Sequence, residues 1–148
     1  MRRFLFSLLL AVVSSASAAG ATELRAGSIV YRIVEVDWQD RLEFRDVVYE
    51  TEDAFLVVRL AVRNDGTAVA VVKPPKVVHS EHGAVEASWK RWVLPLSFDR
   101  FEAVAPGSEK VFTLAFEVER DDGYRLLEAG GGEVELLSDR PAAGDPMV

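Results

Sequence analysis

The sequence predicts an all-β fold, a sandwich or a barrel of short strands, on three observations. Apolar residues recur mostly at period two, turn-forming residues punctuate the chain at short intervals, and no long amphipathic helical pattern interrupts them. The strongest strand is Phe55 to Arg63 (FLVVRLAVR). Successive side chains of a strand point to opposite faces, so Leu56, Val58, Leu60 and Val62 share a buried face while Arg59, Ala61 and Arg63 turn away. Val111 to Glu119 (VFTLAFEVE) repeats the pattern, with Phe112, Leu114, Phe116 and Val118 inward. Two such faces define a core.

The remaining elements follow from turn chemistry. Ser28 to Asp37 and Leu42 to Glu50 are rich in β-branched and aromatic residues, and the polar WQDR (Trp38 to Arg41) between them reads as the turn of a hairpin. Asn64-Asp65-Gly66 tolerates positive φ and is expected as a tight turn into Thr67 to Val72. Lys73-Pro74-Pro75-Lys76 supplies two residues without an N–H and so marks a sheet edge or a crossing between sheets. Val77 to Ser97 has two readings. Val85, Ala87 and Trp89 alternate as a strand, whereas Val85, Trp89, Trp92 and Val93 form a helical stripe ended by Pro95; the strand reading is preferred. Ala105 to Ser108 and Asp121 to Gly123 are turns, Tyr124 to Leu127 and Glu133 to Leu137 are short strands, and Ser138 to Val148 is a flexible tail.

Ala54 to Val72 (AFLVVRLAVRNDGTAVAVV), the glycine turn Ser80 to Gly83 (SEHG), and Ala105 to Glu119 (APGSEKVFTLAFEVE) together resemble the telokin-like, immunoglobulin-like domains of secreted bacterial proteins of unknown function. The resemblance spans roughly Ile29 to Leu137 and departs from the pattern at Ser88 to Leu96. It implies an immunoglobulin-like antiparallel β-sandwich without the intersheet disulfide, and it carries no reaction, ligand or catalytic residue.

Residues 1–19 read as a cleavable signal peptide. Arg2 and Arg3 give a positive start, Phe4 to Val13 is an apolar run, and Ser14 to Ala19 supplies small residues for cleavage. The run is about half the roughly 20 residues that a membrane span needs. A periplasmic or extracellular location without a stable membrane anchor is therefore expected, with residues 20–137 as the domain. The full chain carries 17 Lys+Arg and 24 Asp+Glu; without Arg2 and Arg3 the balance is 15 − 24 = −9. That surface argues against nucleic-acid binding, which needs concentrated positive charge. With 0 cysteines, a disulfide framework, a thiolate metal site, a cysteine nucleophile and a lipid-modified cysteine are all excluded.

Two short stretches carry candidate chemistry. His79 and His82, the only histidines, stand in HSEHG beside Glu81, and two imidazoles with a carboxylate could approach zinc or copper. The competing reading, a polar hairpin tip, is preferred, and no metal or other cofactor is expected. A serine triad lacks a nucleophile-elbow motif, and Gly130 to Gly132 lacks the lysine and helix of a phosphate loop and reads as a turn. Trp89, Lys90, Arg91 and Trp92 are the binding candidates, because tryptophan and arginine dominate interaction hot spots. The competing reading, preferred here, puts one or both tryptophans in the core with Lys90 and Arg91 in solvent. The function expected is a non-enzymatic binding module whose partner is another protein or an envelope component, with a metal or small-ligand carrier using His79 and His82 as the alternative.

Overall fold

The computed structural model describes residues 23–137. The expected signal peptide (1–19) and tail (138–148) lie outside the described residues. The protein is all-β and antiparallel. β1 (Glu23–Ala26), β2 (Ile29–Phe44), β3 (Val47–Asn64) and β8 (Glu109–Val118) form one sheet in the order β1-β2-β3-β8. β5 (Lys76–His79), β6 (Gly83–Val85), β9 (Arg125–Leu127) and β10 (Glu133–Glu135) form a second, in the order β10-β9-β5-β6. β4 (Ala70–Val72) and β7 (Glu102–Val104) make a two-stranded ribbon, and Trp89–Val93 is a single 3₁₀ helix.

The core lies between the two sheets. Leu56, Val58, Leu60 and Val62 of β3 and Phe112, Leu114, Phe116 and Val118 of β8 are buried, as the alternation predicts. They pack with Val77, Leu126 and Val134 from the second sheet and with Val72 and Val104 from the ribbon. Each such side chain contributes about 1.5–3 kcal/mol on leaving water. With no cysteine available, this packing holds the sheets together.

The hairpin between β2 and β3 exists, but its turn is not at Trp38 to Arg41. Both strands continue outward, and the chain reverses at Arg45-Asp46, where Arg45 takes φ +57°. Trp38 is buried and pairs with Leu56; past it the ladder slips register between Gln39 and Arg41. The polar stretch thus marks an irregularity at the base of a protruding arm. Leu42 to Glu50, expected as one strand, contains the turn.

Asn64-Asp65-Gly66 also differs from expectation. None of the three has positive φ, and β4 pairs with β7, not back onto β3. Asn64 is fully buried and its amide organises the exit. Nδ2 donates to the Ala68 carbonyl at 2.8 Å and to the Val104 carbonyl at 2.9 Å, while Oδ1 accepts from the Gly66 N–H at 2.8 Å. Its backbone N–H donates to the Ser108 carbonyl, and its carbonyl accepts from the Gly107 N–H, which fixes the Pro-Gly turn. A Cβ at position 66 would come within 2.9 Å of the Ser28 Cβ, so only glycine fits that approach.

Lys73-Pro74-Pro75 carries the chain from the ribbon to the second sheet, as the prolines predict. The preferred strand through Trp89 stops at Val85. Ser88, in extended conformation, accepts the Lys90 N–H on its hydroxyl at 3.2 Å and caps the 3₁₀ helix. The glycine run is a turn between β9 and β10, closed by the Glu128 N–H donating to the Gly132 carbonyl.

Asn64→Ala removes three hydrogen bonds at once, one buried and two part-buried. An unpaired buried polar group costs about 1–3 kcal/mol, so a loss of at least ~2 kcal/mol is expected in urea unfolding, with an unchanged m-value. A midpoint shift within experimental error would show that the amide does not hold the exit.

Candidate functional site

The segment Ser88 to Phe98 runs along the free edge of β8. The Ser88 N–H donates to the Ala115 carbonyl at 2.7 Å, the Thr113 N–H to the Leu96 carbonyl at 2.8 Å, and the Phe98 N–H to the Thr113 carbonyl at 2.9 Å. An uncovered edge strand invites pairing with other chains, and this segment closes it. The 3₁₀ helix inserts Val93 into a small second core with Leu42, Phe55, Val57 and Ala115, on the face of the first sheet away from the main core.

The helix orients its four candidate residues in the opposite sense to the preferred reading. Trp89 is 64% exposed and Trp92 50%, while Lys90 and Arg91 are half-buried. Lys90 Nζ donates to Glu117 Oε1 at 3.0 Å and to the Glu50 carbonyl at 3.3 Å. Desolvation pushes the Glu117 carboxyl up, but hydrogen bonds from Ser88, Lys90 and Thr51 outweigh it, and the group titrates below its ordinary value. Arg91 Nε donates to the Phe98 carbonyl and Nη1 to the Ser88 carbonyl, which ties both ends of the segment together. Burial lowers the Arg91 pKa, partly offset by Asp99. The cations are anchors, and with five turn residues of which Val93 takes the buried position, the indoles are left outside.

The protruding β2–β3 arm completes the site. Trp92 Nε1 donates to the Tyr49 hydroxyl at 3.1 Å, and Tyr49 packs edge-on against Trp89 at 5.3 Å and Trp92 at 6.3 Å between ring centroids. Phe44, 43% exposed, meets Trp92 at 6.3 Å. An aromatic group of Phe44, Tyr49, Trp89 and Trp92 therefore stands on the surface. Sequence reasoning missed Phe44 and Tyr49 because both fell within a stretch read as one strand; a turn placed at Arg45-Asp46 would have put them on an exposed arm.

The histidines occupy the hairpin between β5 and β6 and come together with Asp121, which precedes β9. One ring nitrogen each of His79 and His82 and an Asp121 carboxylate oxygen lie within 4.8 Å of one another, with Asp121 Oδ2 3.4 Å from His79 Nε2 and 3.1 Å from His82 Nε2, and Glu119 Oε2 is 3.6 Å from His82 Nε2. The protonation pattern nevertheless assigns His79 a structural part. Its Nδ1 accepts the N–H groups of Glu81 at 3.0 Å and His82 at 3.4 Å, so the proton sits on Nε2, which donates to the Asp122 carbonyl at 2.8 Å. A metal on Nε2 would require a proton on Nδ1, facing two backbone N–H groups. His82 Nε2 donates to Asp121 at 3.1 Å, and this bond is the main cause of the lowered Asp121 pKa. Glu81 makes no side-chain contribution to the group. Among the described residues, neither imidazole hydrogen-bonds a serine hydroxyl.

Tyr124 lies under the two imidazoles, 4.7 Å from the His79 ring, and donates to the Glu119 carbonyl at 2.7 Å. Its phenol is pushed up to about 12, first by desolvation and then by Asp121, Glu119 and Asp53. Because the folded value exceeds the ordinary 10.0, the fold favours the protonated phenol. That stability is complete below the unfolded pKa and is lost as pH rises from 10.0 to about 12. Burial also raises Tyr31, so Tyr124→Phe is expected to flatten part of the alkaline fall in urea midpoint; an unchanged slope would show that Tyr124 titrates normally.

The fold is similar to that in a 2.2 Å crystal structure of a conserved hypothetical protein from Bacillus anthracis, with a TM-score of 0.58 and 12% identity, covering 80% of this chain and 94% of that one. At this identity the likeness concerns the fold alone. No family model and no curated protein matches the chain.

Proposed function

We propose that this is an exported, non-enzymatic interaction module, built on an immunoglobulin-like β-sandwich, that docks a protein partner through Trp89, Trp92, Tyr49 and Phe44. The observation that carries the reading is the inversion at the 3₁₀ helix, where two tryptophans face solvent beside cations that are tied inward. Exposing large aromatic rings forgoes about 25 cal/mol for each Å² left in water, and buried Trp and Tyr are the residues that anchor protein interfaces.

The ring geometry favours a protein over an envelope polysaccharide. The interplanar angles within the group run from 67° to 75°, so the rings form ridges and offer no flat platform for a sugar. The Trp92 N–H is already satisfied by Tyr49, which leaves an apolar surface suited to an apolar cavity on the partner. Export rests on the Arg2-Arg3 start, the apolar run and the small residues that follow. The sandwich reading is supported by a core enclosed between two four-stranded antiparallel sheets.

Affinity purification of the mature protein from the exported fraction, quantified by mass spectrometry, tests the reading with two variants. Trp92→Ala is expected to cost about 2 kcal/mol or more in partner affinity, a loss of at least ~30-fold, while His82→Ala retains the partner. Equal retention by both variants, or recovery of a glycan in place of a protein, would refute it.

A further inference from the structure

A second feature is lined by none of Phe44, Tyr49, Trp89 and Trp92. An open cleft of about 930 Å³ is bounded by Ile29 and Tyr31 of β2, the β4 ribbon, the Lys73 to Lys76 crossing and the turn after β9. Its size falls within the range of small-molecule sites. Its charge runs against that of the protein. Lys73, Lys76, Arg91 and Arg100 line it against Glu86 and Glu128, a formal balance of 4 − 2 = +2 in a chain of net −7.

The cations of the cleft also differ in how they are paired. Among the described residues, eight Lys and Arg side chains form ion pairs with carboxylates, and none of the eight lines the cleft. Lys73, Lys76, Arg91 and Arg100 have no such partner among the described residues. Lys73 rests over the exposed Phe101 ring at 5.7 Å, and Arg91 spends Nε and Nη1 on backbone carbonyls, leaving Nη2 without a hydrogen-bond partner among the described residues. The acids are partly committed: Glu128 accepts the Gly132 N–H at 3.0 Å. Ile29, Tyr31, Val72 and Phe101 supply an apolar floor and wall. Burial and then Glu128 raise the Tyr31 pKa, so this lining residue adds no competing charge.

Unpaired cations gathered in one concavity of an acidic protein form a site for negative charge, and the apolar part of the lining favours a charge carried on an apolar body. We propose that this cleft binds an anionic amphiphile, a carboxylate or phosphate head group held by Lys73, Lys76 and Arg100, with its hydrocarbon or aromatic part against Ile29, Val72 and Phe101. The cleft and the aromatic group are separate sites, and the inference does not rest on the docking proposal.

Calorimetric titration with dodecanoate and with dodecyl phosphate, both below their micelle concentrations, tests it, with neutral dodecyl maltoside as the control. Saturable one-to-one binding of at least one anion is expected, and the tighter of the two identifies the head group. Lys76→Ala/Arg100→Ala changes two exposed side chains and is expected to weaken binding at least tenfold, whereas Trp89→Ala/Trp92→Ala leaves it unchanged. Binding of the neutral amphiphile with equal affinity, absence of binding by both anions, indifference to the double cation variant, or loss in the tryptophan variant would each overturn the proposal.

Discussion

β3 is buried on both faces from Ala54 to Val58, and a strand can be dry on both sides only where something covers its outer surface. Here the cover is Ser88 to Phe98. The segment hydrogen-bonds along the β8 edge, inserts Val93 over Phe55 and Val57, and thereby closes an edge and a second small core together. Its backbone route is set by Arg91, whose guanidinium joins the carbonyls at Ser88 and Phe98. The exposed tryptophans follow from that route. A five-residue 3₁₀ helix with Val93 inward and two anchored cations leaves the indoles on the solvent side, over the arm that carries Phe44 and Tyr49.

The same economy governs the polar groups. Asn64, His79 and Arg91 are each buried or half-buried, and each is spent on backbone groups that regular pairing leaves over: the exit from β3, the β5–β6 hairpin with the loop before β9, and the 3₁₀ segment. Among the described residues, no buried side-chain nitrogen or oxygen lacks a hydrogen-bond partner. In a chain without disulfides, such bonds fix the loops that packing alone would leave free, since a buried group left unpaired costs more than a bond contributes. This also accounts for the histidine cluster as structure: His79 has no lone pair to give while it holds two backbone N–H groups.

The parts of the fold that depend on local alternation were legible in the sequence. Leu56 to Val62 and Phe112 to Val118 carry their pattern in the side chains themselves, and Pro74-Pro75 forbids a central strand wherever it falls. Features set by partners distant in sequence were not. Phe55 and Val57 sit at positions that alternation sends outward, and they are buried in a second cluster with Leu42, Val93 and Ala115. Asn64-Asp65-Gly66 has turn composition, yet the Asn64 amide is claimed by Val104, forty residues away, and the chain leaves the sheet. Arg45-Asp46 lacks the Asn-Gly or Asp-Gly signature of tight hairpins, so the true turn was hidden and the polar WQDR stood in for it. The candidate site was half visible: Trp89 and Trp92 were identified by residue type, but their outward orientation depends on Lys90 and Arg91 being held inward by Glu117, Ser88 and Phe98.

The covering of β8 and β3 by Ser88 to Phe98 is tested most directly by amide hydrogen exchange at Ser88, Thr113 and Phe98, whose N–H groups bridge the two segments. Protection comparable to that of the β3–β8 ladder is the predicted result. Exchange at the rate of an open loop, with the ladder still protected, would show that the segment does not cover the sheet and that the orientation of the tryptophans is not fixed by it.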